Sequence, residues 1–392
     1  MKTTWHSYWL VAIFSSIVSI ANAAVVLDLG TTFTPDGVSG DGAVVAGTLR
    51  TSILNPQAVR WTLADGFLSL GDLPGGHSDN YGQDISNDAS TIVGYGGSSN
   101  SGSVFEAFRW SAQTGIVGLG DFPGGEFDSG SVAVSSDGSV IAGVGYTAIG
   151  SEAFRWTESS GLNPLGFLPG TLDSSAVGIS ADGSTIVGRS GKRPFRWTQS
   201  SGMIELTTQA VIASSPAYDV SADGSVVVGG LSGSPNRGPF RWTPGAGMVM
   251  LDRLGFASGT AFAVSDDGSL VVGSLTSSSN PDGIAFIWDD THGTRRLQDV
   301  LANEFHLGSL LNNWVLTKAT GISADGSTIV GEARFYGGGR PPGYEYRHFL
   351  FTTNIVPEPN SLYLAAMGVL GLLTRKNRTG DHLCPGRIAG SP

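Results

Sequence analysis

Residues 217–251 carry three short phrases in order: Ala217-Tyr218-Asp219-Val220-Ser221-Ala222-Asp223-Gly224-Ser225-Val226-Val227-Val228, then Phe240-Arg241-Trp242-Thr243, then Gly247-Met248-Val249-Met250-Leu251. An Asp-Gly pair between two short apolar runs predicts a tight reversal, because glycine accepts a positive φ there. The first phrase therefore predicts strand a over 217–221 and strand b over 226–228. The second predicts strand c around Trp242, and the third predicts strand d over 247–251.

The same phrases recur along the chain. The aspartate of the S-x-D-G-S phrase occurs seven times, at Asp41, Asp88, Asp137, Asp182, Asp223, Asp267 and Asp325. The tryptophan of the A-F-R-W-T phrase occurs six times, at Trp61, Trp110, Trp156, Trp197, Trp242 and Trp288, and His348-Phe349-Leu350-Phe351-Thr352 takes its place in a degenerate seventh copy. Four short strands in each unit of about 45 residues are typical of a β-propeller blade.

The phase of the repeats predicts a closed ring. Val25-Val26-Leu27-Asp28-Leu29-Gly30 reads as a strand d with no a, b or c before it, and the last unit, 322–352, has no strand d after it. The first strand is therefore expected to complete the last blade, which removes two open sheet edges. We predict an all-β, seven-bladed β-propeller of four-stranded blades over residues 24–353. A β-solenoid is the alternative and would need polar caps at both ends.

These phrases resemble the HAF repeat family of predicted extracellular proteins. The resemblance covers nearly all of residues 25–352 and rests on the A-F-R-W-T, L-G and S-x-D-G phrases, with Leu-Gly pairs such as Leu119-Gly120 and Leu165-Gly166. It implies an extracellular repeat protein, and it brings no activity and no catalytic residues.

The N-terminus predicts export. Lys2 precedes a mostly apolar stretch over 9–20, and Ala21-Asn22-Ala23 has the small residues of a signal-peptidase site. We expect a signal helix within a signal peptide over residues 1–23, the Sec route, and a mature chain that begins at Ala24. An uncleaved membrane anchor is the alternative, but the apolar stretch is shorter than the ~20 residues of a membrane span.

The C-terminus predicts a second targeting signal. Pro357, Glu358 and Pro359 precede an apolar run over 362–373, which is followed by the basic residues Arg375, Lys376 and Arg378. This order resembles the PEP-CTERM sorting signal of Gram-negative bacteria over residues 354–378.

That resemblance implies an apolar transmembrane helix over 360–374, transient anchoring in the inner membrane, and processing by an exosortase-type protease. It also implies release to the cell envelope or the exterior and a link to biofilm and exopolysaccharide. The family usually ends just after the basic cluster, whereas residues 379–392 continue here and are expected to form a disordered tail. A terminal buried helix is the alternative interpretation of the apolar run.

Composition excludes several kinds of partner. The net charge is −11, so the chain does not offer the basic face that nucleic acid requires. Cys384 is the one cysteine and the six histidines are scattered, so the sequence predicts no disulfide, no metal site and no cofactor. The seven repeated aspartates could form a calcium ring, but S-x-D-G favours a turn-shaping role. The repeated tryptophans are expected to pack between blades.

The loops carry the candidate binding site. The a–b turns are nearly constant, whereas the b–c segments vary in length, and the longest, over 331–347, contains Tyr336, Arg340, Tyr344, Tyr346 and Arg347. A constant scaffold with variable loops on one face is a common way to build a binding site, and tyrosine and arginine are favoured contact residues. Neutral drift of loop sequences is the alternative.

Three functions are consistent with these sequence patterns. The first is a non-catalytic surface or secreted protein that binds exopolysaccharide or another envelope protein. The second is a propeller glycosidase or lyase that acts on extracellular polysaccharide. It would use loop carboxylates such as Asp79, Glu126, Asp128 and Asp173, since glycosidases need two acids ~5–10 Å apart. The third is a purely structural matrix protein. The absence of a catalytic motif favours the first.

Overall fold

The computed structural model describes residues 24–50, 55–102, 104–207, 214–232, 237–337 and 343–353. The predicted signal helix within residues 1–23, the apolar helix over 360–374 and the tail over 379–392 lie outside these ranges. Within them, no helix has the length and apolar character needed to cross a membrane.

The described chain forms 28 strands and one short helix. The first strand and the strands of blades 1 to 3 are β1 (Val25–Gly30), β2 (Phe33–Val38), β3 (Val44–Arg50), β4 (Pro56–Thr62), β5 (Gly66–Ser69), β6 (Asn80–Ile85), β7 (Thr91–Gly96), β8 (Glu106–Ser111), β9 (Gly115–Gly120), β10 (Gly124–Val134), β11 (Val140–Thr147), β12 (Gly150–Thr157) and β13 (Gly161–Pro164). Blades 4 to 7 contain β14 (Ser174–Ile179), β15 (Thr185–Ser190), β16 (Arg193–Thr198), β17 (Gly202–Glu205), β18 (Ala217–Val220), β19 (Val227–Leu231), β20 (Gly238–Thr243), β21 (Gly247–Met250), β22 (Ser258–Val264), β23 (Val271–Ser277), β24 (Asn280–Asp289), β25 (Gly293–Arg296), α1 (Leu297–Asn303), β26 (Trp314–Ile322), β27 (Thr328–Phe335) and β28 (Glu345–Thr352).

These strands make seven four-stranded antiparallel sheets, which confirms the predicted seven-bladed propeller. Six sheets consist of four consecutive strands, whereas the seventh has the order β1-β28-β27-β26. In that sheet Leu27 pairs with Leu350 and Asp28 with Phe349. The prediction that the first strand completes the last blade is therefore confirmed. We call the face that bears the b–c and d–a connections the loop face, and the opposite one the turn face.

The S-x-D-G phrase builds the a–b turn of each blade. In blade 5 the Ser221 hydroxyl donates to the Asp223 carboxylate at 2.7 Å and accepts from the Val226 N–H at 2.9 Å, while the Ser225 N–H donates to Asp223. Gly224 has a φ of +71°, the left-handed conformation that favours glycine. The turn-shaping role expected for the aspartates is confirmed in all seven blades.

Each blade has a core formed by a glycine of strand b and an apolar residue of strand c. In blade 5 Gly229 pairs with Phe240, which is fully buried. A Cβ on Gly229 would lie 2.5 Å from the Pro216 carbonyl oxygen and 2.6 Å from the Phe240 ring. Glycine is needed here because the ring of strand c and the backbone of strand a fill this space.

Adjacent blades are held together by tryptophans and arginines of strand c. Trp197 packs with Val140 and Ala142 of the preceding blade, which confirms the predicted inter-blade role of the tryptophans. The guanidinium of Arg241 lies 5.4 Å from the Trp288 ring of the next blade, within range of a cation–π contact. The guanidinium of Arg109 likewise lies 5.3 Å from the Trp156 ring of the next blade.

The helix α1 is a departure from the repeat that the sequence patterns did not reveal. Leu297-Gln298-Asp299 stands where blades 2 and 3 have Leu119-Gly120 and Leu165-Gly166, and it begins α1. Leu297, Val300 and Leu301 of α1 are buried against Ile287, and Phe305 packs against Phe351 with ring centroids 5.0 Å apart. The inserted segment therefore covers the contact between blades 6 and 7.

Candidate binding site on the loop face

Four polar side chains of blades 6 and 7 meet on the loop face. Asp282 is on β24, just after the b–c hairpin of blade 6. Arg334 is on β27, whereas Tyr344 directly precedes β28 and Tyr346 is its second residue. The b–c connection of blade 7 therefore brings both of its flanks to one carboxylate of the neighbouring blade. We call these four residues, together with Tyr336, whose ring packs against that of Tyr344, the Asp282 cluster.

Asp282 is the centre of the cluster. Its Oδ1 accepts a hydrogen bond of 2.7 Å from the Tyr346 hydroxyl. Its Oδ2 lies 3.3 Å from Arg334 Nη1 and 3.5 Å from the Tyr344 hydroxyl. The hydrogen bond to Asp282 raises the pKa of Tyr346 further above neutral pH, because the carboxylate favours the protonated phenol. Charge-assisted bonds of this kind fix the orientation of the rings.

The tyrosines form an exposed aromatic strip. The ring centroids of Tyr336 and Tyr344 are 5.5 Å apart, and those of Tyr344 and Tyr346 are 5.6 Å apart. The guanidinium of Arg334 lies 5.4 Å from the centroid of Tyr344. Tyr336 is 46% exposed and Tyr346 is 49% exposed, although both are held by neighbours. Flat apolar rings next to a carboxylate and a guanidinium suit a ligand with both apolar faces and hydroxyl groups.

The other two predicted contact residues have different places. Arg347 pairs with Asp28 of β1 and with Glu345, so its guanidinium joins the first strand to the last blade. Arg340 lies outside the described residues. Asp282 and Arg334 were missed from the sequence, because Asp282 belongs to the preceding repeat and only the fold brings it to the tyrosines.

A channel of about 190 Å³ runs between the innermost strands of all seven blades. Asp36, Gln83 and Thr320, of blades 1, 2 and 7, give it a polar wall, whereas Tyr218 and Phe262 of blades 5 and 6 pack edge to face at 5.2 Å. Burial raises the pKa of Asp36 to about 8, an effect that Arg50 opposes and Glu332 reinforces.

Two other channel carboxylates link neighbouring blades. Asp84 accepts from its neighbour Ile85 at 2.8 Å and from the Val134 N–H of the next blade at 3.0 Å. Asp219 likewise accepts from the Val264 N–H of the next blade at 2.9 Å. Burial raises the pKa of each to about 7 despite these hydrogen bonds. Both carboxylates accept hydrogen bonds from backbone N–H groups, and these bonds connect neighbouring blades of the ring.

The turn-face end of the channel is crossed by a side-chain hydrogen bond. The amide of Asn87 in blade 2 donates to Asp266 in blade 6 at 2.9 Å. Asn87 and Asp266 occupy the same position of the S-x-D-G phrase, which places them opposite one another at the channel mouth. This hydrogen bond joins blades 2 and 6 across the turn-face end of the channel.

Three of the four loop carboxylates predicted for glycosidase chemistry lie next to a local partner. Asp173 pairs with Arg189 at 2.6 Å, and Asp79 lies 3.9 Å from the His77 ring. Asp128 accepts from the Phe105 N–H at 3.3 Å, and burial together with the nearby charge of Glu126 raises its pKa. Within the part of the chain described by the structure, no group of three or more His, Cys, Asp or Glu side chains could hold a metal ion. The sorting residues Pro357, Glu358, Pro359, Arg375, Lys376 and Arg378 lie beyond the described ranges.

Neither a protein-family model nor a curated protein matches the sequence. Solved structures match the fold. An oligogalacturonate lyase in complex with manganese is 14% identical, with 84% of this chain and 93% of the lyase covered and a TM-score of 0.50. The oligogalacturonate lyase of Vibrio parahaemolyticus is 12% identical, with coverages of 83% and 93% and a TM-score of 0.51.

TolB from Acinetobacter baumannii is also similar, at 15% identity over 65% of this chain and with a TM-score of 0.44. The matched part spans 63% of the TolB chain. At identities this low, the similarity to the two oligogalacturonate lyases shows a shared fold and leaves the function to the residues of this chain.

Proposed function

We propose that the protein is an exported, non-catalytic binding protein that recognises an exopolysaccharide through the loop face of blades 6 and 7. The observation that carries the proposal is the Asp282 cluster, in which two half-exposed tyrosines are held beside a carboxylate and a guanidinium. The ring of seven blades supplies a rigid support, and the variable b–c connections supply the contact residues.

Sugar chains fit the chemistry of this strip. A pyranose ring presents C–H groups on its faces and hydroxyl groups around its rim. Tyr336 and Tyr346 offer flat apolar surface to the former, and the Asp282 carboxylate and Arg334 guanidinium offer an acceptor and donors to the latter. The aromatic rings lose few rotatable bonds on binding, which keeps the entropic cost low.

The binding test uses the purified protein and a panel of neutral and acidic bacterial exopolysaccharides in affinity electrophoresis and calorimetry. Tyr346→Ala is expected to weaken binding about tenfold, equivalent to ~1.4 kcal/mol. Tyr146→Ala is the matched control, because Tyr146 is a similarly exposed tyrosine on the b–c hairpin of blade 3. Equal affinities for the wild type and both variants would overturn the proposal. Binding to an envelope protein but to no glycan would move the proposal to a protein partner.

Export and sorting are part of the proposal. The signal-peptide and PEP-CTERM resemblances support secretion by the Sec route, transient anchoring in the inner membrane and processing by an exosortase-type protease. Mass spectrometry of the protein from cells with an intact sorting system is expected to give termini near Ala24 and Pro357. A mature chain that still contains Cys384 would refute processing at the Pro-Glu-Pro motif.

A polysaccharide lyase or glycosidase is the second candidate. Its support is the pair of acids on β10, Glu126 and Asp128, where the raised pKa of Asp128 suits a general acid. Incubation with the best-bound glycan should then release unsaturated or reducing ends. Loss of that release in Asp128→Asn, with binding unchanged, would establish the enzyme and displace the non-catalytic proposal.

A further inference from the structure

An arginine of strand c closes the contact between successive blades in the middle of the ring. Arg155 of blade 3 donates to the Gly183 carbonyl in the a–b turn of blade 4 at 3.2 Å. Arg196 makes the same bond to Gly224 at 3.2 Å, and Arg241 makes it to Gly268 at 3.4 Å. We call each contact between strand c of one blade and the a–b turn of the next a seam. The guanidinium fills each of these seams on the turn face.

Two seams lack this arginine. In blade 6 its place is taken by Ile287, and the apolar residues of α1 and the following loop cover that seam. In blade 7 its place is taken by Leu350, which packs in a cluster that includes Trp61. Leu350 has no donor for the Gly42 carbonyl of blade 1, the equivalent of Gly183. The repeat pattern is thus interrupted at the seam where the ring closes.

A groove of about 540 Å³ lies at this closure seam. It is lined by Val25 and Leu27 of β1, by Leu350 and Thr352 of β28, by residues 41–44 and by residues 60–65 of blade 1. Leu63 on its rim is 63% exposed. Val25, Leu27, Leu63 and Leu350 make its lining largely apolar, and Leu350 stands where Arg155, Arg196 and Arg241 cap three other seams.

The chain itself passes this groove. Thr352 lines it, and the next residue, Thr353, is fixed by a 3.0 Å hydrogen bond from its N–H to the Ser327 carbonyl. Residues 354–392 follow, beginning Asn354-Ile355-Val356-Pro357. Ile355 is two residues from Thr353 and so within ~7 Å of it in an extended chain. The first two apolar side chains after the last strand are therefore within reach of the closure seam, where Leu350 stands in place of the arginine.

We propose that residues 354–356 dock in the closure-seam groove, with Ile355 and Val356 covering Trp61, Leu63 and Leu27. The segment takes the place of the missing arginine, and its backbone N–H groups supply the donors that Leu350 cannot give to the Gly42 carbonyl. Docking holds β1 between β28 and the segment, which locks the ring closed. It also places Pro357 at the edge of the turn face, away from the Asp282 cluster.

The first test is a disulfide trap in the full chain carrying Cys384→Ser. The pair Leu63→Cys with Ile355→Cys is expected to form an intramolecular disulfide under mild oxidation. The control pair joins Ile355→Cys to Leu172→Cys, since Leu172 is 72% exposed on a different blade and should not react. Equal yields for the two pairs, or cross-linking only between two molecules, would overturn the proposal.

A second test restores the repeat. Leu350→Arg returns the arginine to the closure seam and should lower the yield of the Leu63–Ile355 trap several-fold by competing for the groove.

Because this variant changes a buried residue, a separate measurement compares chains ending at Thr353 and at Val356. The shorter chain should show at least threefold faster hydrogen exchange in β1 and around Trp61. Identical exchange in the two chains would contradict docking, whatever the fate of Leu350→Arg.

Discussion

The hydroxyl of Tyr346 in blade 7 donates a 2.7 Å hydrogen bond to Asp282 in blade 6. This bond joins two repeats whose residues are 64 positions apart, and Arg334 and Tyr344 converge on the same carboxylate. The binding face is therefore shared between blades, and the carboxylate that orients its tyrosines is outside the loop that carries them.

Asp282→Ala should disorder the aromatic strip and leave the Arg334 guanidinium without its ion pair. Polysaccharide affinity is expected to fall at least fivefold, while the melting temperature changes little because the cluster is at the surface. Calorimetry and thermal unfolding measure both effects. Asp252→Ala is the control, an acid of blade 5 next to an exposed loop. A variant that binds like the wild type would show that Asp282 does not orient the site.

Ser221→Ala tests the turn phrase. The substitution leaves the buried Val226 N–H without the hydroxyl acceptor and removes one of the donors to Asp223, so the free energy of unfolding should fall by ~1–3 kcal/mol. Urea unfolding at neutral pH gives the value. Ser200→Ala, in an exposed c–d turn, should change it by less than about 0.5 kcal/mol. Similar values for the two variants would mean that the phrase does not stabilise the blade.

Gly229→Ala tests the blade core. The added methyl group clashes with both the Pro216 carbonyl and the Phe240 ring, and overpacking of this kind costs ~1–3 kcal/mol. Gly245→Ala is the matched control, because a Cβ there meets no atom within 4 Å. Thermal unfolding should separate the two variants by several degrees. A stable Gly229→Ala protein would show that the core of blade 5 adapts.

Asp36→Asn tests the channel. Burial raises the pKa of Asp36 in the folded protein to about 8, so the folded state binds a proton that the unfolded state releases between about pH 4 and 8. The contribution of Asp36 to the free energy of unfolding therefore falls as the pH rises through this range. The Asn variant has no titrating group at this position, so this fall is absent from its stability. The melting temperature of the variant relative to the wild type should rise from pH 5 to pH 8. A constant difference would show that Asp36 titrates normally.

The repeat made the architecture predictable from the sequence. The Asp223-Gly224 turn and the spacing of the tryptophans predicted the strands. The unpaired strand phrase at Val25–Gly30 predicted the closure of the ring. Strands and closure were both predictable because each leaves a short local pattern in the sequence. The candidate site was predictable only in part. Tyr336, Tyr344 and Tyr346 are visible in one variable loop, but Asp282 is a lone acid in another repeat. The helix α1 was missed because Leu297-Gln298-Asp299 resembles a degenerate copy of the Leu-Gly phrase.

Hydroxyl-radical footprinting of the protein with its best-bound exopolysaccharide tests the central proposal most directly. Tyr336 and Tyr346 are both about half exposed in the free protein, so each should be oxidised readily without glycan and several-fold more slowly with it. Tyr146, at 39% exposure on blade 3, should be oxidised equally in both states. Protection of Tyr336 and Tyr346 alone is the result that the proposal predicts. Unchanged oxidation of both at saturating glycan, or protection confined to other blades, would contradict it.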